Sequence, residues 1–130
     1  MDIKTISTAA LAYLGDSVIE LCVREYLVEQ GFSSSAHLNS AALEYVKATR
    51  QAEAVKRIIP SLTEEEAAIF RRGRNVGHSN TPKSATVSEY RMATGMEALF
   101  GWLHLCGKSE RIKELFREAY NTERPVKKTD

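Results

Sequence analysis

Residues 11–27 read LAYLGDSVIELCVREYL. Apolar side chains cover nearly every face of a helix drawn through this run, yet Asp16 stands in its middle beside Gly15. A helix that is apolar all round is buried on more than one side. The stretch is long enough to suggest a membrane span, but Asp16, Glu20, Arg24 and Glu25 interrupt it at a cost that no ordinary span accepts. The expectation is a first helix of a soluble protein, running from about Thr5 to Gln30 and stopped by Gly31.

Working outward, the rest of the chain also reads as helix. Proline occurs only at Pro60, Pro82 and Pro125, each near an expected helix boundary, and no strand-like alternation persists. After a serine-rich connector, one helix is expected over Ala36 to Ile59, with Leu38, Ala42, Tyr45, Val46, Ala52, Val55 and Ile59 on its apolar side. Thr63 and Glu66 form a capping-box pattern that opens a third helix, fading between Arg72 and Asn75. The spacing of Met92, Met96, Leu99, Phe100 and Leu103 predicts a fourth over Val87 to Leu105. Ile112, Leu115, Phe116 and Ala119 form the inward face of a last helix, Ser109 to Tyr120. The expected organisation is an all-α domain over 1–122 and a frayed tail over 123–130.

The bulk numbers set limits. The chain has 130 residues, 43% of them hydrophobic, which suits one compact domain with a real core. Its net charge is +1, so a nucleic-acid site has to come from local clustering. Cys22 and Cys106 are far apart and part of no metal-ligand spacing; they are expected to be buried, reduced thiols. The N-terminus has no signal-peptide pattern, so the expected location is the cytoplasm.

Asp16 has a counterpart in Glu97, within the apolar run ATGMEALFGWL. On a helix, Asp16 shares a face with Ala12 and Glu20, and Glu97 with Ala93 and Gly101, with Thr94 three residues before it. Small neighbours let another helix or a ligand come close, and a buried carboxylate needs a cation, a donor or a metal. Each acid therefore either pairs with a surface cation or joins the other around a hydrated Mg²⁺, which takes one or two carboxylates and keeps several waters. Spacing alone leaves both readings open. Glu20 reads as a structural residue that holds a neighbouring helix by a salt bridge or hydrogen bond.

The segment RRGRNVGHSNTPK, residues 71–83, has Arg71, Arg72, Arg74 and Lys83 and no acid; Arg91 follows on the next helix. Arginines here either complement the C-terminal dipole of the third helix or contact phosphates. Asn75 and His78 join the second reading. No aromatic residue interleaves, so duplex RNA recognised by backbone and shape fits better than stacked single strands.

At this point the motifs resemble a known family. AYLGDSVIEL, with Gly15 in its scaffold, is similar to the signature helix of ribonuclease III, and MEALFGWLHL to its second acidic segment. RRGRN, TPK and YRMATGMEAL resemble one branch, Mini-ribonuclease III, the short bacterial form without a double-stranded-RNA-binding domain. The resemblance implies a two-fold symmetric all-α homodimer and Mg²⁺-dependent cleavage of double-stranded RNA. It also implies maturation of 23S ribosomal RNA ends, with a large-subunit ribosomal protein as a stimulating partner. Asp16 and Glu97 carry over as the catalytic acids and metal ligands. Longer members have acids at two further positions, occupied here by Ala12 and Thr94. A degenerate, non-catalytic double-stranded-RNA-binding dimer is therefore the alternative.

Overall fold

A 3-10 turn over Ile3–Thr5 leads into the first long helix, α1, Thr8–Glu29. The computed structural model describes residues 2–76 and 85–122. Five more helices follow: α2 (Ser35–Val46), α3 (Ala48–Ile58), α4 (Glu64–Arg74), α5 (Val87–Leu105) and α6 (Ser109–Tyr120). No strand occurs among the described residues, so the all-α expectation holds. No described helix is long and apolar enough to cross a membrane. The expected tail, 123–130, and residues 77–84, with His78 and Lys83, lie outside the described residues.

Local chemistry sets most boundaries. α1 starts at Thr8 rather than Thr5, because the Ser7 hydroxyl accepts the Ala10 amide at 3.1 Å and fixes the N-terminus there. At its other end the Gly31 amide donates to the Val28 carbonyl and the Phe32 amide to the Leu27 carbonyl. Gly31 takes φ 92°, which closes the helix in a Schellman turn. Thr63 and Glu66 make the expected capping box, and Thr86 and Glu89 make a second one at the start of α5.

The helix expected over Ala36 to Ile59 is two helices. Lys47 is extended (φ −60°, ψ 143°) and separates α2 from α3. The break lets the two helices pack in different directions: α2 lies against α1, whereas α3 packs on α5 and α6. Ile59, expected on the apolar side, is exposed in the turn after α3.

α5 is the axis of the fold, with α1, α3, α4 and α6 packed around it. Leu11, Ile19, Val23 and Leu27 of α1 meet Met96, Leu99, Phe100 and Leu103 of α5 in one core, which Val55, Ile58 and Leu115 complete. Glycines bring the backbones unusually close. A methyl group on Gly15 would overlap the Glu97 carbonyl oxygen, and one on Gly101 would overlap that of Leu11. α1 and α5 are therefore antiparallel and in main-chain contact at their crossing. On the opposite side of α5, a methyl on Gly73 would lie 2.8 Å from both Ala98 Cβ and Gly95 Cα, which places α4 equally close.

A buried ion pair ties the start of α4 to α6. Arg111 donates through Nε and Nη2 to the two oxygens of Glu66, at 2.9 and 2.8 Å, and through Nη2 to the Ser61 carbonyl at 2.8 Å. Glu66 is only 3% exposed. The Arg111 hydrogen bond holds its carboxyl below the usual carboxylate range, outweighing the opposing effect of burial. Cys22 and Cys106 are free thiols, as expected, but half-buried rather than buried. Burial pushes the Cys22 thiol up to about 11.

Candidate active site

The crossing of α1 and α5 brings the two sequence-marked acids together. Asp16 follows Gly15 and is exposed on α1, whereas Glu97 is half-buried on α5. Gly15, the neighbour of Asp16, lies against the Glu97 carbonyl, so the two acids stand beside each other at the crossing. Burial pushes the Glu97 carboxyl up to about 8; the charge of Asp16 acts in the same direction. Because the helices touch through glycine backbone, the relative position of the two acids is set by main chain rather than by adjustable packing.

The remaining sequence-marked residues divide. Thr94 is buried and its hydroxyl donates to the Tyr90 carbonyl at 3.0 Å, so it is a helix-internal group. Glu20 does make a salt bridge, at 2.7 Å, but to Arg24 one turn along its own helix rather than to a neighbouring helix. Arg72 donates to the Thr8 hydroxyl at 3.0 Å and so links α4 to the start of α1. Arg74 donates to Asn75 Oδ1 at 3.3 Å and stacks over Phe70. Arg74 and Asn75 share a surface cleft of about 350 Å³ with Arg91. Arg71 is exposed in the last turn of α4, where it also complements the helix dipole.

Sequence reasoning missed Arg111, whose only signal was its place on the polar side of an amphipathic helix. It also missed Gln51, which is 3% exposed in α3. Among the described residues no group of three or more metal-ligating side chains converges. The candidate donor set among the described residues is therefore the Asp16–Glu97 pair. Two carboxyls crowded together, one of them held protonated by its surroundings, form a site that a divalent cation would relieve, and Mg²⁺ accepts such a pair with water completing its shell.

Comparison with known proteins agrees with this geometry. The ribonuclease III domain model matches residues 9–108, a span that includes both acids, all of α5 and all but the first residue of α1.

The chain belongs to the ribonuclease III family.

Within that family it groups with the Mini-ribonuclease III branch. It is 45% identical over 115 residues to a Mini-ribonuclease 3 of Symbiobacterium thermophilum, covering 88% of each chain. It is also 45% identical over 113 residues to one of a Thermoanaerobacter species, covering 87% of this chain and 80% of that one. A crystal structure of a Fusobacterium nucleatum protein shares the fold with a TM-score of 0.83 and 36% identity, covering 95% of this chain and 98% of that one. Ribonuclease III enzymes are endoribonucleases of double-stranded RNA, and this chain has their domain over most of its length.

Proposed function

We propose that the protein cleaves double-stranded RNA at the Asp16–Glu97 pair with Mg²⁺ as its cofactor, in the maturation of 23S ribosomal RNA ends in the cytoplasm. The observation that carries the catalytic part is the meeting of these two carboxyls across a backbone-to-backbone helix crossing. The ribosomal part, including a large-subunit ribosomal protein as a stimulating partner, rests on the resemblance of the sequence motifs to the Mini-ribonuclease III branch, to which the relatives add their name alone.

Asp16 and Glu97 would hold the ion. When bound, it supplies a water of lowered pKa and positive charge against the scissile phosphate. Asp16, on the exposed side, faces the incoming RNA and orients the water, while Glu97 anchors the site from its half-buried position. Gly15 keeps the two carboxyls at a fixed spacing. Arg74, Asn75 and Arg91 grip the RNA backbone from their common cleft, with Arg71, His78 and Lys83 adding contacts. Arg72 contributes through its charge while it anchors α1.

Cutting both strands of a duplex needs two sites, which a homodimer supplies. The outer face of α1 supports this arrangement. Tyr13, Leu21 and Val28 are 84%, 57% and 61% exposed, and Leu43 of α2 is 60% exposed. Such large apolar groups along one side of a domain suit a symmetric partner.

The test is cleavage of a long RNA duplex with Mg²⁺ or with chelator, comparing wild type and Asp16→Asn. Metal-dependent cutting that drops at least about 100-fold in the variant, with RNA binding retained, is the expected result. Full cutting by Asp16→Asn removes that residue from the chemistry. RNA binding without cutting by wild type means a binding module, in which Ala12 and Thr94 mark a lost active site.

A further inference from the structure

Gln51 is a buried polar side chain without a partner among the described residues. It is 3% exposed, and its side-chain amide makes no hydrogen bond to any of them. Burying an amide without a partner is destabilising, and such groups are rare in folded proteins. The rest of its stripe on α3 is ordinary core: Ala54, Val55 and Ile58, at helical spacing from Gln51, are fully buried. A leucine or methionine would complete that stripe without leaving a polar group unsatisfied. The amide is therefore out of place unless it has work to do.

Its position along the fold says where that work lies. α3 ends at Ile58, and the turn after it is held by Arg111, which bonds the Ser61 carbonyl and Glu66. The next helix starts beside the far end of α5, where Glu65 lines a cavity together with Trp102 and Cys106. α3, which packs on α5, thus runs parallel to it, and the last turns of both lie at the same end. Gln51 stands about 10 Å back from Ile58, and Glu97 about 12 Å back from Leu105, at 1.5 Å per residue. The two are level.

Tyr120 gives a second bearing. Its hydroxyl donates to the Tyr45 carbonyl at 3.0 Å, at the junction of α2 and α3. The same hydroxyl is within electrostatic reach of both Arg50, the neighbour of Gln51, and Glu97. The first turn of α3 and the Glu97 carboxyl therefore border one region of the interior.

We propose that Gln51 is a positioning residue for Glu97: from the layer between α3 and α5, its amide hydrogen-bonds the Glu97 carboxyl, in the free protein as in the working enzyme, and fixes the orientation of that group. A change of side-chain rotamer makes the bond. The inference rests on the reading of Glu97 as a catalytic acid. Groups that orient a ligating carboxylate typically change activity 10- to 100-fold when removed.

Gln51→Met tests it, because methionine keeps the length of the side chain and removes the amide. The expected result is a melting temperature equal to or above wild type, an unchanged KM for duplex RNA, and kcat at least about tenfold lower. A purely structural amide would leave kcat untouched. The second measurement needs neither RNA nor metal: the side-chain amide resonances of Gln51 should move in Glu97→Ala relative to wild type. A kcat within twofold of wild type overturns the proposal, and so do amide resonances that Glu97→Ala leaves in place. If Gln51→Met fails to fold, the resonances alone decide. A Glu97→Ala protein that cuts RNA at the wild-type rate would instead overturn the catalytic reading of Glu97, and the resonances would still report whether the two side chains meet.

Discussion

Gly15 rests against the peptide carbonyl of Glu97 with no room between them for a methyl group. The residue before one acid thus touches the main chain of the other. Gly15→Ala should force α1 and α5 apart, because the obstacle is backbone and cannot rotate away. Overpacking typically destabilises by about 1–3 kcal/mol, and a backbone obstacle belongs at or above the upper end. Thermal unfolding of Gly15→Ala against Ser17→Ala, an exposed neighbour on the same helix, measures it.

Glu97 makes stability depend on pH in an unusual direction. Its carboxyl is pushed up to about 8, so between the ordinary carboxylate range and pH 8 the folded chain holds a proton that the unfolded chain has lost. The stabilisation is fully present below about pH 4.5, the ordinary value, and is lost as pH rises through 8. Melting temperatures in chelator should therefore show a falling contribution over this window that Glu97→Gln abolishes. Added Mg²⁺ should bind more tightly as pH rises, since it competes with that proton.

The Glu66–Arg111 pair should behave as a unit. Removing one partner strands a buried charge, and such single changes destabilise by about 3–5 kcal/mol. Glu66→Gln and Arg111→Met should each unfold at clearly lower temperature, whereas the double variant should lose less than the sum of the two. Equal additive losses in a double-mutant cycle would mean that the two side chains act separately. Because the Glu66 carboxyl is held low, its contribution is present above the usual carboxylate range and is lost as pH falls through its lowered value.

Arg74 and Arg91 line one cleft, so their effects on RNA should be similar in kind. Replacing either by alanine should weaken duplex binding and make its salt dependence shallower by about one phosphate contact. Melting temperatures should stay near wild type for Arg91→Ala, which has no hydrogen-bonding or ionic partner to lose among the described residues. Binding titrations at several salt concentrations distinguish this from simple loss of a helix cap at Arg74.

The apolar outer face of α1 predicts its own test. Leu21→Glu places a charge in the centre of the proposed dimer surface while leaving the core alone, since Leu21 is exposed in the single chain. Sedimentation should show wild type as a dimer and the variant as a monomer of undiminished helicity. A wild-type monomer at micromolar concentration would remove the dimer from the mechanism.

Much of this architecture was legible because local signals and core periodicity agree. The α5 stripe Met96, Leu99, Phe100 and Leu103 and the α6 stripe Ile112, Leu115, Phe116 and Ala119 are buried where helical spacing put them. The break at Lys47 was not legible. No proline or glycine marks it, and lysine has no preference for an extended conformation; the different packing partners of α2 and α3 impose it. Glu66 was read only as a cap, because its ion pair bridges residues 45 positions apart. Asp16 and Glu97 were each conspicuous as charges in apolar helices, but spacing along one chain says nothing about which helices cross. Gly15 and Gly101 were visible as small residues beside the acids, and their full meaning is the main-chain contact they allow.

Arg91 and Glu97 lie on one uninterrupted helix, α5, about 9 Å apart along its axis at 1.5 Å per residue. The proposed grip and the proposed cutting group are thus marks on a single rigid ruler. The span from the held phosphate to the cleaved one is then a property of helical rise, indifferent to the length of the segment at 77–84. Lengthening or shortening that segment would alter how firmly a duplex is held and leave the position of the cut where the ruler puts it.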